Sequence, residues 1–85
     1  MTHAPLPLEG IRVVEFSHMV MGPTCGLVLA DLGADVVKVE PAPDGDKTRR
    51  LPGSGAGFFG TYNRNKRSIS VNLKSVEGLE FATNL

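Results

Sequence analysis

The chain has 85 residues, of which 41% are hydrophobic and 21% charged, and its nine basic residues balance nine acidic ones. This length allows one small domain, and the ordinary composition excludes intrinsic disorder. The balanced charge excludes a dedicated nucleic-acid-binding protein, because such proteins are usually clearly basic.

The single cysteine and the N-terminal segment indicate the cellular compartment. Cys25 has no second cysteine to pair with, which fits a reducing environment. Residues 1–8 lack the charged start and apolar core of a signal peptide. No apolar run approaches the roughly 20 residues that span a bilayer. We therefore expect a cytoplasmic protein with no membrane partner.

The first half of the chain has the pattern of a β-α-β unit. Residues 1–9 contain two prolines and predict an extended lead-in. Residues 11–16 are rich in apolar, β-favouring side chains and predict a first strand. Pro23 suits the first position of a helix, and Gly33 suits the residue that ends it. Residues 35–40 contain three valines and predict a second strand that is buried on both faces.

The helix of this unit has one face that the spacing of apolar residues defines. A helix places residues three and four positions apart on the same side. The predicted apolar face consists of Cys25, Val28, Leu29 and Leu32.

The second half of the chain predicts a long loop, a strand and the start of a helix. Residues 41–61 are rich in glycine, proline and charge and predict a loop. Residues 68–73 alternate strictly between polar and apolar and predict a third strand. Ser75 is expected to cap a second helix, with Glu77 near the positive end of its dipole. The apolar stripe of that helix begins with Val76, Leu79 and Ala82.

These elements together predict an α/β fold. It is a partial Rossmann-like parallel sheet, made of the β-α-β unit, a third strand and the start of a second helix. Residues 10–85 are expected to form an incomplete N-terminal domain. The end at Leu85 shows none of the usual helix stop signals, which is typical of a truncated domain.

The turn over residues 17–23 is the first place where a ligand could bind. Ligands of open α/β sheets bind beyond the carboxyl ends of the strands, and the start of the following helix suits a phosphate or carboxylate. The alternative is a connecting loop without a ligand. His18 lies in this turn, although a lone histidine is more often structural than catalytic.

A second possibility is a dinucleotide site, with Glu40 at the end of strand two holding a ribose hydroxyl. That site requires a glycine fingerprint directly after strand one, and none is present there. A formal match over residues 55–60 follows no strand, and no helix pattern opens after it. We interpret the match as chance.

The third feature is a basic segment over residues 62–67, with Arg49 and Arg50 upstream. Its cations could bind a polyphosphate through charge-assisted hydrogen bonds. Alternatively, they pair with the acidic residues Glu40, Asp44 and Asp46, which composition alone favours. The sequence shows no metal-ligand spacing and no carboxylate pair assignable to acid–base catalysis.

Several ordered segments of the chain form a familiar series. They are residues 8–16, Gly22-Pro23, residues 29–41, residues 45–49, residues 63–69 and Leu73-Lys74. Together they resemble the opening of the class III CoA-transferases, the family of formyl-CoA transferase and carnitine CoA-transferase, and the resemblance covers residues 8–85.

The resemblance implies a Rossmann-like N-terminal domain in a much longer chain, which forms an interlocked homodimer. Such enzymes move coenzyme A from an acyl-CoA donor to a carboxylic acid acceptor, and they need no metal. An aspartate attacks the thioester and carries mixed-anhydride and aspartyl-CoA intermediates. That aspartate lies downstream in the family and matches none of Asp31, Asp35, Asp44 and Asp46. The resemblance therefore names no catalytic residue in this chain.

The resemblance also implies coenzyme-A contacts within the chain, at Val20, Met21, Pro41, Val71, Asn72, Leu73 and Lys74. Val20 stands where formyl-CoA transferase has a glutamine, a departure that weakens the case for oxalate-type specificity. Pro41 stands where relatives often have an arginine that faces the nucleotide, and proline supplies no cation. Lys74 is the best polar contact, and His18 matches a histidine of formyl-CoA transferase.

Two alternatives to a CoA-transferase stay open at this point. An α-methylacyl-CoA racemase shares this N-terminal half, although residues 45–49 and 62–67 look more like those of transferases. The 85 residues could also be a non-catalytic nucleotide-binding module, which the basic segment suggests.

Overall fold

The computed structural model of the chain describes residues 5–85, so the first four residues of the predicted lead-in lie outside the described residues. Residues 7–10 form a turn instead of continuing an extended lead-in. One hydrogen bond and one backbone conformation define the turn: the Leu8 N–H donates to the Leu32 carbonyl at 2.8 Å, and Gly10 has a φ of 88°. Leu8 thereby packs against the hydrophobic core.

The described chain alternates strands and helices. Two 3₁₀ turns, Lys47–Arg50 and Gly53–Gly57, precede the second helix. The regular elements in chain order are β1 (Arg12–Glu15), α1 (Met21–Asp31), β2 (Asp35–Pro41), α2 (Phe58–Tyr62), β3 (Arg67–Val71) and α3 (Val76–Thr83). None of the helices in this part of the chain is long and apolar enough to cross a membrane.

The three strands form one parallel sheet in the order β1-β2-β3. β2 lies in the middle, with Val13 of β1 opposite Val36 and with Ser68 of β3 opposite Lys38. Its residues 36–40 are all buried, as expected of a central parallel strand covered on both faces. The predicted α/β fold with a partial Rossmann-like parallel sheet is confirmed.

Helix α1 starts two residues earlier than predicted, at Met21, so Pro23 is its third residue and not its first. The earlier start costs no hydrogen bond, since the first N–H groups of a helix have no partner within it. Gly33 ends the helix as predicted, with a φ of 105°. The adjoining Ala34 N–H donates to the Leu29 carbonyl at 3.1 Å.

The predicted apolar face of α1 is wrong for three of its four residues. Cys25, Val28 and Leu32 are exposed, and only Leu29 packs against the core. The buried face of α1 consists instead of Pro23, Gly26 and Ala30. Small side chains allow the helix axis to come close to the sheet, and the stripe of these residues has the same helical spacing.

Residues 41–61 are not a continuous loop, because two 3₁₀ turns and α2 form within them. Asp46 caps the first turn through its side chain, which accepts a hydrogen bond from the Thr48 N–H. The formal glycine fingerprint overlaps the second turn and α2, so the expectation that no helix follows it is also wrong.

The third strand and the last helix appear where the sequence placed them, with shifted limits. β3 covers Arg67–Val71 instead of residues 68–73. The Ser75 side chain caps α3 as predicted and accepts from the Gly78 N–H at 2.9 Å. Of the predicted apolar stripe of α3 only Ala82 is buried, while Val76 and Leu79 are exposed.

Candidate functional site

A cavity of about 350 Å³ lies at the carboxyl ends of all three strands. The residues that line it come from β2 itself and from the segments that follow β1, β2 and β3. They are Phe16, Ser17, His18, Val39, Pro41, Asp46, Lys47 and Leu73. This is the edge at which open α/β sheets bind their ligands, so the cavity is the candidate functional site.

The turn between β1 and α1 forms one wall of this cavity. Met19, in the middle of the turn, has a left-handed φ of 67°, which is uncommon for a residue with a long side chain. The Met19 N–H donates to Thr48 Oγ1 at 2.8 Å. The Ser17 carbonyl accepts a hydrogen bond from Lys38 Nζ at 2.9 Å. Side chains of β2 and of the first 3₁₀ turn therefore shape the wall that carries His18.

A buried network of four charged side chains supports the turn. Lys38 Nζ contacts Glu15 Oε2 at 3.2 Å and Asp46 Oδ2 at 3.0 Å. Lys66 Nζ contacts Glu15 Oε1 at 2.8 Å and donates to the carbonyl of Pro23 at 2.9 Å. All four side chains are almost completely buried. Two cations therefore neutralise two carboxylates inside the protein, as burial of charge requires.

The network keeps its carboxylates ionised. Burial raises the pKa of Glu15, but hydrogen bonds from Lys66, Ser17 and Lys38 outweigh burial and leave the pKa below its usual value. Burial likewise raises the pKa of Asp46, and hydrogen bonds from Thr48 and Lys38 reverse the effect. Burial lowers the pKa of Lys66, against the opposing effect of Glu15.

Glu40 is engaged in a second polar cluster and does not face a ribose site. Its Oε1 accepts hydrogen bonds from Arg49 Nε and from the Asp46 N–H, both at 2.7 Å. The hydrogen bond from Arg49 is the main cause that lowers the pKa of Glu40 from 4.5 to about 2. Arg49 also stacks on the Phe59 ring, with 3.8 Å between guanidinium and ring centre. The dinucleotide interpretation therefore loses its acidic residue as well as its fingerprint.

The basic segment over residues 62–67 does not present a free cluster of cations. Lys66 pairs with Glu15, and Arg64 pairs with Asp31 at 2.9 Å. Arg67 pairs with Asp35, the first residue of β2, at the edge of the sheet opposite the cavity. The cations of the segment are therefore paired, but the expected partners were wrong for residues 62–67. Of the expected acidic residues, Glu40 pairs with the upstream Arg49.

Three of the coenzyme-A contacts that the resemblance implies lie at the strand ends and meet at the cavity edge. Pro41 and Leu73 line the cavity, and Val71 lies opposite Pro41 in the sheet. Val71 is itself buried, and its carbonyl accepts from the Ala42 N–H at 3.1 Å. The strand ends thus bring these positions together.

The other coenzyme-A contacts that the resemblance implies lie around the same edge of the sheet. The Asn72 side chain accepts a hydrogen bond from the Lys74 N–H at 3.1 Å, and Lys74 is exposed. Val20 is the residue that precedes α1, and Met21 begins the helix. The Met21 side chain is 86% exposed and does not line the cavity. Contacts of these residues with coenzyme A stay predictions.

Sequence reasoning missed the buried charge network and the role of Thr48 in the turn. One signal was present: Lys38 interrupts a run of valines in a strand predicted to be buried, and a buried lysine needs carboxylate partners. Nothing in the sequence identified Glu15, Asp46 and Lys66 as those partners. Among residues 5–85, no group of three or more His, Cys, Asp and Glu side chains is placed to hold a metal ion.

Comparison with known proteins gives consistent matches over almost the whole chain. The model of CoA-transferase family III matches residues 8–85. A formyl-CoA:oxalate CoA-transferase of Streptomyces coelicolor is 50% identical over 82 residues, which are 92% of this chain and 20% of the relative. The enzyme of the same name from a Bradyrhizobium species is 44% identical over 92% of this chain and 19% of its own length.

Solved structures show the same likeness in three dimensions. A hypothetical protein from Mycobacterium tuberculosis is similar with a TM-score of 0.85 and 39% identity, over 93% of this chain and 22% of that chain. A CAIB/BAIF family protein from Brucella suis has a TM-score of 0.79 and 42% identity, over 91% of this chain and 22% of that one. This chain therefore spans about a fifth of the length of the relatives that it matches.

Proposed function

The chain belongs to CoA-transferase family III, whose model matches residues 8–85, and from that premise we propose that it is the N-terminal segment of a CoA-transferase. The enzyme would move coenzyme A from an acyl-CoA donor to a carboxylic acid acceptor. The continuous family match is the observation that carries this proposal. A cavity at the carboxyl edge of the sheet supports it, because that edge is where such folds bind nucleotides.

The cavity suits one part of a coenzyme A molecule. Pockets for whole drug-sized ligands have roughly 300–1,000 Å³, and this one, at about 350 Å³, lies at the lower limit. Pro41 and Leu73 provide apolar surface, and Lys47 provides a cation in the same wall. We propose that Lys47 and the exposed Lys74 face the phosphates of coenzyme A, since Pro41 supplies no charge.

The proposed chemistry needs a free aspartate at the cavity, which residues 5–85 do not offer. Asp44 is exposed but does not line the cavity. Asp31 and Asp35 form ion pairs with arginines at the surface, and Asp46 is buried against Lys38. We propose that the nucleophile lies outside these 85 residues. Its carboxylate would attack the thioester carbonyl and release the CoA thiolate. The thiolate would attack the resulting anhydride, form aspartyl-CoA and free the donor acid, and the acceptor acid would then take the place of the donor in the reverse steps.

The cytoplasmic location expected from the sequence and the interlocked homodimer implied by the resemblance are part of the same proposal. Within the family, an α-methylacyl-CoA racemase is the second function considered. The two differ in the bond that changes, because a racemase exchanges the proton on the α-carbon and leaves the thioester intact.

The test is an assay of the intact protein with a panel of acyl-CoA donors and acids, including formyl-CoA and oxalate. Chromatography of the products should show a new acyl-CoA that corresponds to the added acid. The 85-residue segment alone should show no transfer. Exchange of the α-proton of a 2-methylacyl-CoA in heavy water without transfer would favour the racemase. If the intact protein catalyses neither transfer nor α-proton exchange with any substrate of the panel, the proposal is contradicted.

A further inference from the structure

The turn after β1 adopts a conformation that requires support from its surroundings. Met19 is left-handed at φ 67°, and a residue with a side chain keeps such a backbone only where neighbouring groups hold it. Ser17 and His18, the residues just before Met19, line the cavity. A change in the backbone at Met19 would therefore move the cavity wall.

Two buried side chains hold the backbone of this turn. The hydroxyl of Thr48, a residue with 0% exposure, accepts a hydrogen bond from the Met19 N–H at 2.8 Å. Lys38, also fully buried, donates to the Ser17 carbonyl at 2.9 Å. The turn is thus fixed on both sides of His18.

Asp46 contacts both of the residues that hold the turn, Thr48 and Lys38. Asp46 Oδ1 accepts a hydrogen bond from the Thr48 N–H at 2.9 Å, and Asp46 Oδ2 contacts Lys38 Nζ at 3.0 Å. The Asp46 N–H donates to Glu40 Oε1 at 2.7 Å, which ties the group to β2. The position of the Thr48 hydroxyl is therefore set by a network of charged groups and not by side-chain packing alone.

We propose that Thr48 is a positioning residue, whose hydroxyl holds Met19 in the left-handed conformation and thereby sets the position of His18 against acyl-CoA. This inference rests on the proposed function, because it assumes that the cavity binds acyl-CoA. If Thr48 only contributed to packing, loss of its hydroxyl would not specifically change the backbone of the turn at Met19. The two roles differ in what happens to the Met19 amide and to the Michaelis constant for acyl-CoA.

The test compares Thr48→Val with Thr48→Ser in the intact protein. Valine has almost the same shape but no acceptor, whereas serine keeps the hydroxyl. Thr83→Val serves as a control for the loss of a threonine hydroxyl that bonds to the backbone elsewhere, because the Thr83 hydroxyl donates to the Leu79 carbonyl at 2.8 Å on an exposed helix turn. Residue-resolved amide hydrogen exchange reports on Met19, and steady-state kinetics give KM and kcat separately.

We expect Thr48→Val to speed exchange of the Met19 amide about tenfold, as follows from loss of one hydrogen bond with a donor left unpaired. KM for acyl-CoA should rise by a similar factor, with kcat changing less. Thr48→Ser should behave like the unaltered protein in both measurements, and Thr83→Val should not change exchange at Met19.

Unchanged exchange and unchanged KM in Thr48→Val would overturn the proposal, as would equal effects of valine and serine. If Thr48→Val does not fold, the unaltered protein decides: exchange of its Met19 amide at the rate of an unstructured chain would overturn the inference. Failure of the proposed function is distinguishable, because the unaltered protein would then show no transfer while the exchange results stand.

Discussion

Lys38 shows how a single residue links the sheet to the site above it. Its ammonium group is fully buried, contacts carboxylates from β1 and from the first 3₁₀ turn, and donates to the backbone of the turn that carries His18. A buried ion pair adds little net stability, because desolvation offsets the attraction. Its effect is geometric: the carboxylates of Glu15 and Asp46 are held at fixed positions beneath the cavity.

The lowered pKa of Glu40 predicts how the stability of the fold depends on pH. Its pKa is lowered from 4.5 to about 2 by Arg49, the Asp46 N–H and Ser68. A carboxyl group with a lowered folded-state pKa stabilises the fold above its unfolded pKa, and this contribution is lost as pH falls toward the folded value. The stability due to Glu40 should therefore disappear between pH 4.5 and about pH 2.

The measurement is the free energy of unfolding of the intact protein and of Glu40→Gln as a function of pH. The difference between the two should be largest above pH 4.5 and should shrink toward pH 2. Glu80→Gln is the control, since Glu80 is exposed on α3. A difference that stays constant through this window would show that the carboxylate of Glu40 is not stabilised by its partners.

At the scale of elements, α1 lies close to the sheet because small residues face it. A Cβ at Gly26 would overlap Glu15 Oε1 and lie 3.2 Å from Lys66 Cε. The helix thus covers the buried charge network directly, without room for one methyl group. Apolar periodicity favoured Cys25, Val28 and Leu32, because it weighs side-chain hydrophobicity and not the closeness that glycine and alanine permit.

Replacement of Gly26 by alanine tests this close approach by the sign of its effect. In an exposed helix, glycine to alanine stabilises by about 1 kcal/mol. At Gly26 we expect a loss of about 1–3 kcal/mol instead, because the added methyl group must displace Glu15 or shift the helix. Gly60→Ala in α2 is the matched control, since a Cβ there meets nothing within 4 Å. Urea unfolding should move in opposite directions for the two variants, and a stabilised Gly26→Ala would contradict the account.

The elements differ in how far the sequence could predict them. β1 and β2 were predictable because their apolar runs are short, β-branched and separated by a glycine-terminated helix. β3 was predictable because polar and apolar residues alternate along it. The 3₁₀ turns and α2 were not, since residues 41–61 are ordered by individual side-chain contacts. Asp46 caps the first turn, and Arg49 bonds Glu40 across nine residues while it stacks on Phe59. Such contacts leave no periodic pattern.

At the scale of the whole molecule, the site is an edge to which each strand contributes one wall. Phe16 follows β1, Pro41 ends β2 and Leu73 follows β3, and all three line the cavity. The rule that parallel sheets bind at their carboxyl ends was enough to predict this edge. It could not predict that the cations of the basic segment are used in ion pairs elsewhere, because pairing depends on residues far apart in the chain.

Hydrogen exchange of the intact protein with and without coenzyme A tests the central claim most directly. We predict slower exchange on binding in peptides that cover residues 16–21, 41–47 and 71–74, with no change over residues 32–35 at the opposite edge. NADH at the same concentration should leave all of these peptides unchanged. Protection confined to the opposite edge, or no protection by coenzyme A anywhere in residues 5–85, would contradict the assignment of this cavity to a CoA-transferase.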